Sequence, residues 1–422
     1  MLPGAINPQW GAQLVLGAPG SLGWALAVNA ALIVTGLGLT AVRARRRASA
    51  IATAVALLLV IGVVAPHLLA RAQSFSIALL PALLLLLDRR PAPAWLPLVV
   101  ALLMAAWANL HGAFVIGQLA VGAMLVAELV AWRRHDPDAR PGTLVLAAAA
   151  ALLAPLANPA GLQLLVYAYA QPGLEVVRSI SIEWQPSWPW IPVALLAWVL
   201  LGLLVVGRVA RRGAIALREA ILGLILAALA VTSIRHIPWF ALALAPLLAE
   251  DIDAAFRARP NLAAAVGAIR GPLGGGRARV TLLAAGALAV ALQPLRPGLP
   301  EPLARLTPDA PVAIADLLDE RLVLGQTERI LNEQVWGGYL DWRLGGRIET
   351  AMDGRLEIRD RATWVAYFSM MNGRDDPASV LAAADVRWAA VSDRRDALTA
   401  ALLAAGWRIE LDVPDGLLLH RP

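Results

Sequence analysis

Ten runs of mostly apolar residues, at 22–42, 50–70, 74–87, 94–110, 113–132, 143–157, 191–207, 217–234, 237–249 and 280–294, fill most of the first 294 positions of this 422-residue chain. A helix needs roughly 20 residues to cross about 30 Å of hydrocarbon, and a helix satisfies all its backbone polar groups internally where no water is present. The runs therefore predict a mainly α, polytopic transmembrane helical bundle of about ten spans. Its shorter runs must borrow flanking residues or rest against neighbours.

All 36 cationic residues are arginine, and in the apolar part they collect in alternate loops. Arg43, Arg45, Arg46 and Arg47 follow the first run, Arg89 and Arg90 the third, and Arg133, Arg134 and Arg140 the fifth. Arg208, Arg211, Arg212 and Arg218 follow the seventh, and Arg257, Arg259, Arg270, Arg277 and Arg279 the ninth. The intervening loops hold Arg71, Arg178 and Arg235, so the count is 18 against 3. The positive-inside bias then assigns the rich side to the cytoplasm, and both the start of the chain and everything after the tenth run to the other side.

Charge divides the chain the same way. Residues 1–295 carry 21 Arg and 10 acids (+11), and residues 296–422 carry 15 Arg and 20 acids (−5), which give the net +6. The expected organisation is a membrane domain over 1–295, a Pro-rich linker over 296–310 and a small extracytoplasmic α/β domain over 311–422. The basic excess belongs to loops beside anionic lipid, and no nucleic-acid partner is read into it. The absence of Cys excludes thiol catalysis, disulfides and cysteine-based zinc sites.

In the tail, 329–332, 347–352, 388–392, 407–411 and 417–420 read as short strands, and 361–372, 377–384 and 396–405 as helices. Trp336-Gly337-Gly338-Tyr339-Leu340 reads either as a helix start with core anchors or as an aromatic contact for a glycan. Asp353-Gly354-Arg355 reads as a turn after a strand with an ion pair, or as the source of a catalytic Asp that the tail folds over the cleft. Gly271 to Arg277 lacks the Lys-Ser/Thr of a phosphate loop and reads as a linker.

With this topology the outer ends of the spans carry His67 and Arg71, Asn109 and His111, Asn158, Glu183 and Trp184, and Arg235 and His236. Each has an ordinary explanation alone: arginines near an interface snorkel, and indoles favour the headgroup region. Ionisable groups within apolar spans are costly, however, and five groups at one surface mark a candidate site. Asn109-Leu110-His111-Gly112 and Asn158-Pro159-Ala160-Gly161 end their runs with turn chemistry. Residues 162–169, with Leu162, Leu165, Val166 and Tyr169 at helical spacing, read as an interfacial helix. Arg235-His236 presents a planar fork and a second donor suited to phosphate oxygens. Scattered His and a single Glu give no metal site.

Several phrases in order resemble a bacterial branch of the GT-C superfamily, polytopic glycosyltransferases that use polyprenyl-phosphate sugars at the outer face of the cytoplasmic membrane. They are Arg71-Ala72-Gln73 with Phe75-Ser76, Trp107 to Gly112, Asn158-Pro159 with Gly161, Glu183-Trp184, and Arg235-His236 with Pro238 and Phe240. Gly337-Gly338-Tyr339-Leu340 with Trp342 and Asp353-Gly354-Arg355 extend the resemblance into the tail. The resemblance implies a multi-pass protein of a bacterial inner membrane, with a polyprenyl-phosphate-linked sugar and membrane lipid as partners and no cofactor.

Members of that branch begin with a further span and an outer loop bearing an acid. Residues 1–21 contain no Asp or Glu, so the chain is expected to start late relative to them. Transfer needs a base for the acceptor hydroxyl and positive charge for the departing phosphate. Glu183 is then the candidate base. Arg71, Arg235 and His236 are the candidates for the phosphate, His111 for orientation, and Asn109 and Asn158 complete the substrate-binding set. The alternatives are a catalytically inactive form, a membrane scaffold or assembly protein, and a transporter. The transporter reading suffers because no charged residue lies mid-span apart from Glu128.

Overall fold

The computed structural model describes residues 7–17, 22–170, 182–187, 192–210, 213–259, 310–354, 361–414 and 416–422. The tenth apolar run, most of the expected linker, the Gly271–Arg277 segment and Arg355 lie outside these residues. The chain divides into two compact units, Asn7–Arg296 and Pro297–Pro422.

The first unit is helical: α1 (Trp10–Gly17), α2 (Leu22–Arg45), α3 (Ala50–Val64), α4 (Gln73–Leu87), α5 (Leu96–Leu110), α6 (Phe114–Arg133), α7 (Pro141–Leu153), α8 (Leu162–Ala170), α9 (Pro192–Ala210), α10 (Leu217–Thr232) and α11 (Ile237–Arg257). Each of the first nine apolar runs is a helix to within a few residues. Among the described residues three helices are long and apolar enough to cross a membrane: α2, α3 with the 3-10 turn Ala65–His67 that extends it, and α6. A fourth span results if α7 and α8, bent by 105° at the intervening break, count together. Among the described residues, α4, α5 and α10 fall short of full length at their ends. α4 and α5 are 15 residues long, and 3-10 turns at 65–67, 154–157 and 234–236 take the positions where further α-helical turns would stand.

α11 is the central helix. Fourteen of its 21 residues are buried, because it packs against α2, α3, α9 and α10 together. α2 lies so close to α4 that a Cβ at Gly36 would stand 2.1 Å from the Ile77 carbonyl oxygen. α8 turns Leu162, Val166 and Tyr169 outward and buries Leu164, while Leu165, expected on the same outer face, packs against the core.

The arginine-rich segments gather at one end. Arg43 holds Asp88 at 2.8 Å, Arg208 holds Asp251 at 3.1 Å and Glu250 at 3.0 Å, Arg47 holds Glu219, and the Ser49 N–H donates to Asp253 at 3.0 Å. Glu128 belongs to this end: it pairs with Arg90 at 3.4 Å and accepts the Arg140 N–H. It is therefore a helix-end group near the arginine loops.

The second unit has α12 (Val312–Arg321), β1 (Glu328–Asn332), α13 (Gln334–Leu344), β2 (Ile348–Thr350), α14 (Arg361–Met371), α15 (Pro377–Ala383), β3 (Val386–Val391), α16 (Asp396–Ala404), β4 (Arg408–Val413) and β5 (Gly416–His420). The sheet order is β2-β1-β3-β5-β4, with β1 parallel to β2 and β3, and β5 antiparallel to β3 and β4. Ile330, Trp388, Ala390 and Leu418 pack one face onto α12 and α13. Leu331, Ala389, Val391 and Leu419 are buried on the other face, as strand alternation requires. The Trp336 to Leu340 phrase lies in α13, where Trp336 and Leu340 are core residues and a Cβ at Gly337 would reach the Met352 carbonyl oxygen at 2.0 Å. Its tight fit is thus a packing requirement.

Candidate functional site

The other end of the helical unit collects the polar residues of the arginine-poor loops. Arg71 lies between the 3-10 turn Ala65–His67 and α4. Glu183 lies on the 3-10 turn Ile182–Trp184, and Arg235 on the turn Ile234–His236 that leads into α11.

The two loops bearing Glu183 and Arg235 are laced by backbone bonds. Ile234 N–H donates to Gln185 O at 3.1 Å and Ser187 N–H to Val231 O at 3.1 Å. Ser233 caps the second turn: its hydroxyl accepts from Arg235 N–H at 3.3 Å and donates to Glu183 O at 2.7 Å. These bonds hold the loops of Glu183 and Arg235 together without using either charged group.

At the centre, Arg71 Nη1 donates to Glu183 Oε1, and Arg235 Nη1 lies 3.6 Å from Glu183 Oε2. One carboxylate thus faces two guanidiniums. In this loop position burial works to raise the Glu183 carboxyl, but the charges of Arg71 and Arg235 and the Arg71 hydrogen bond outweigh it and hold it below the usual carboxylate range. Glu183 is therefore ionised at neutral pH.

His111 lies beneath Arg235. Its Nε2 is 3.2 Å from Arg235 Nη2, and its Nδ1 is 2.7 Å from Ser76 Oγ, which also accepts the Trp107 Nε1–H at 2.7 Å. A guanidinium only donates, so Nε2 is the acceptor and the ring proton is assigned to Nδ1, towards Ser76, in preference to the longer approach of the Ala113 N–H to Nδ1 at 3.4 Å. The buried chain Trp107–Ser76–His111 thereby fixes the orientation of Arg235. Ser76 is the residue that sequence reasoning did not single out for this role, although two serines at 74 and 76 opening an apolar run were its visible sign.

Arg235 also lies over the Trp184 ring at 5.1 Å, and His236 meets the same ring edge-on at 6.1 Å. A cavity of about 100 Å³ opens beside them, bounded by Gly112, Trp184, Arg235, His236 and Trp239. Several buried atoms around this end have no hydrogen-bond partner among the described residues: Arg71 Nε and Nη2, His67 Nε2, both amide atoms of Gln73, and His236 Nδ1. Such atoms are rare in a folded interior, and each calls for an explanation such as strain, a functional role, or a bound water or ion.

Asn109 and Asn158 do something different. Asn109 Oδ1 accepts from Trp10 Nε1 at 2.8 Å and Asn158 Nδ2 at 3.2 Å, while Asn158 Nδ2 also reaches Ala108 O at 3.1 Å. They tie α1 and the turn after α7 to the end of α5. The structure thus joins Arg71, Glu183, Arg235 and His111 into one bonded group, sets His236 at its aromatic edge, and places Asn109 and Asn158 in the adjoining wall. Among the described residues no group of three or more His, Asp or Glu is placed to hold a metal ion. Neither protein-family models nor curated proteins give a match to this chain.

Proposed function

We propose that this chain is a multi-pass protein of about ten spans in a bacterial cytoplasmic membrane, and that it transfers a sugar from a polyprenyl-phosphate donor at the outer face in the manner of GT-C glycosyltransferases. The observation that carries the reading is the convergence of Arg71 and Arg235 on one carboxylate, with Arg71 Nε and Nη2 left without hydrogen-bond partners among the described residues. A carboxylate between two guanidiniums occupies the place that a phosphate monoester or diester would take, and a phosphate offers more acceptor oxygens than Glu183 does.

Donor binding then has a second effect. A phosphate that takes over Arg71 and Arg235 releases Glu183 from both, and the freed carboxylate regains basicity beside the bound donor. The acceptor hydroxyl oxygen forms a bond to the anomeric carbon as the bond from that carbon to the phosphate oxygen breaks. The hydroxyl proton passes to Glu183, and the polyprenyl phosphate leaves on the two arginines. His111 serves as a positioning residue for Arg235. The apolar face of α8, which exposes Leu162, Val166 and Tyr169, suits the interface beside the polyprenyl chain.

A second reading, a non-catalytic assembly protein, draws on the same closed ion pair, which there would simply lock two loops together. Binding of a polyprenyl phosphate to the purified full chain separates the two. Arg71→Ala and Arg235→Ala should each weaken binding by about tenfold to a hundredfold, the range for removing one partner of a partly buried charge pair. Glu183→Gln should tighten binding, because a competing anion has been removed, while abolishing transfer. Unchanged binding in both arginine variants would overturn the site, and binding without transfer in the wild-type chain would favour the assembly protein.

A further inference from the structure

At the opposite, arginine-rich end of the helical unit, a cavity of about 300 Å³ opens between the end of α4, the end of α6, α7 and the start of α10. That volume is at the lower limit for small-ligand sites. Its floor is apolar, with Leu87, Met124 and Leu144, and its rim carries Arg89, Arg90, Arg134 and Arg218 against Glu128 and Asp136. The two rim carboxylates are already engaged. Arg90 spans them at 3.4 and 3.1 Å, Glu128 also accepts the Arg140 N–H, and Asp136 also accepts the Asp138 N–H.

Three rim cations therefore lack a carboxylate at hydrogen-bond distance among the described residues. Arg89 packs over the Trp95 ring at 5.0 Å, which holds its position without neutralising it. The acid nearest Arg218 is Glu219 at 3.9 Å, which is the partner of Arg47. Loop arginines that only set topology need no cavity and no shared focus. Here they converge on a concave site with an apolar base, which is the form that an anion attached to an apolar body fits.

We infer that this cavity binds a phosphate-bearing anion, held by Arg89, Arg134 and Arg218. The site is separate from the one carrying the proposed transfer and does not depend on it. Its phosphate has two sources: the headgroup of an anionic lipid, with the first acyl carbons on Met124 and Leu144, or a small soluble phosphate compound.

The purified full-length chain should be tested in two arms, by isothermal titration with inorganic pyrophosphate and by native mass spectrometry after reconstitution with phosphatidylglycerol or phosphatidylcholine. Saturable binding of pyrophosphate identifies a soluble ligand, and retention of phosphatidylglycerol over phosphatidylcholine with no pyrophosphate binding identifies a headgroup. In either case Arg134→Ala and Arg218→Ala should weaken binding about tenfold, as loss of a charge-assisted bond does. Ala127→Phe, which fills the cavity from its wall and leaves every charge in place, should weaken it as well. Arg133→Ala removes an equal charge from an exposed neighbour that does not line the cavity and should leave binding within about twofold. If neither anion binds, or if Arg133→Ala costs as much as Arg134→Ala, the attraction is diffuse and the inference falls.

Discussion

Glu183 and Glu333 both face arginine, and the number of bonds left open separates them. Glu333 is fully engaged: its Oε1 accepts from Ser392 N–H at 3.2 Å, Ser392 Oγ at 2.9 Å and Arg395 Nε at 2.8 Å, and its Oε2 accepts from Arg395 Nη2 at 2.9 Å. That closed set, linking the end of β1 to the loop after β3, is what a structural ion pair requires. Glu183 instead leaves two nitrogens of Arg71 without hydrogen-bond partners among the described residues, which is why it is read as a group to be exchanged. Burial works to raise the Glu333 carboxyl, while Arg395 and Ser392 more than compensate and hold it below the usual carboxylate range. A depressed folded value means stability that is present above the unfolded carboxylate pKa of about 4.3 and is lost as pH falls through the folded value. Glu333→Gln should therefore cost roughly 1.5–3 kcal/mol at pH 7. The gap from wild type should close as pH drops below about 4. Hydrogen exchange of the amides in β1 and β3 reads this directly, and a gap that persists unchanged into acid would mean that packing dominates.

Helix existence was legible from apolar run length alone: nine runs became helices, because a long apolar stretch has few other ways to satisfy its backbone. Their ends were less legible. Run length does not register that Ala65–His67 and Ile234–His236 close as 3-10 turns, whose tighter winding brings His67, Arg235 and His236 to the site. In the tail, α12 was missed because the acids of Asp316, Asp319 and Glu320 and the prolines before it obscure the helical spacing of Ile314, Leu318 and Leu322. The individual candidate residues were visible from topology, but the bonds among them were not: nothing in the order of the chain pairs Glu183 with Arg71, or sets Asn109 and Asn158 apart as wall residues tied to Trp10. Packing of α2 on α4 was equally hidden, since it rests on one missing Cβ. Gly36→Ala should separate these helices or distort them, costing about 1–3 kcal/mol as overpacking does. Gly38→Ala in the same helix meets nothing within 4 Å and should be neutral or stabilising, by up to about 1 kcal/mol of helix propensity. Thermal melting of the detergent-purified chain distinguishes them. Equal melting temperatures for the two variants would remove the close approach from the account.

At the scale of the whole molecule, the segregation of arginines is the one feature that bears on sidedness, and the helical unit realises it as two chemically distinct ends. One end is a dense set of ion pairs around Arg43, Arg47 and Arg208, and the other holds the Arg71–Glu183–Arg235 group. If the dense end faces the cytoplasm, as the positive-inside bias requires, the candidate site faces outward and meets a donor presented there. Because the chain has no cysteine, single substitutions can report this without any background. Leu69, exposed in the loop before Arg71, and Val380, exposed on α15, are suitable positions for the outer face. Asp138, exposed between α6 and α7, serves for the inner face. In intact cells a membrane-impermeant maleimide should label Leu69→Cys and Val380→Cys, and should label Asp138→Cys only after permeabilisation. Labelling of Asp138→Cys in intact cells with Leu69→Cys protected would place the arginine pair on the cytoplasmic side, where a polyprenyl-phosphate donor for outer-face transfer is absent. Protection of Val380→Cys alone would instead mean that the chain crosses an even number of times between Arg257 and Val312, so that the run at 280–294 is not a single span, and would leave the outer-face site intact.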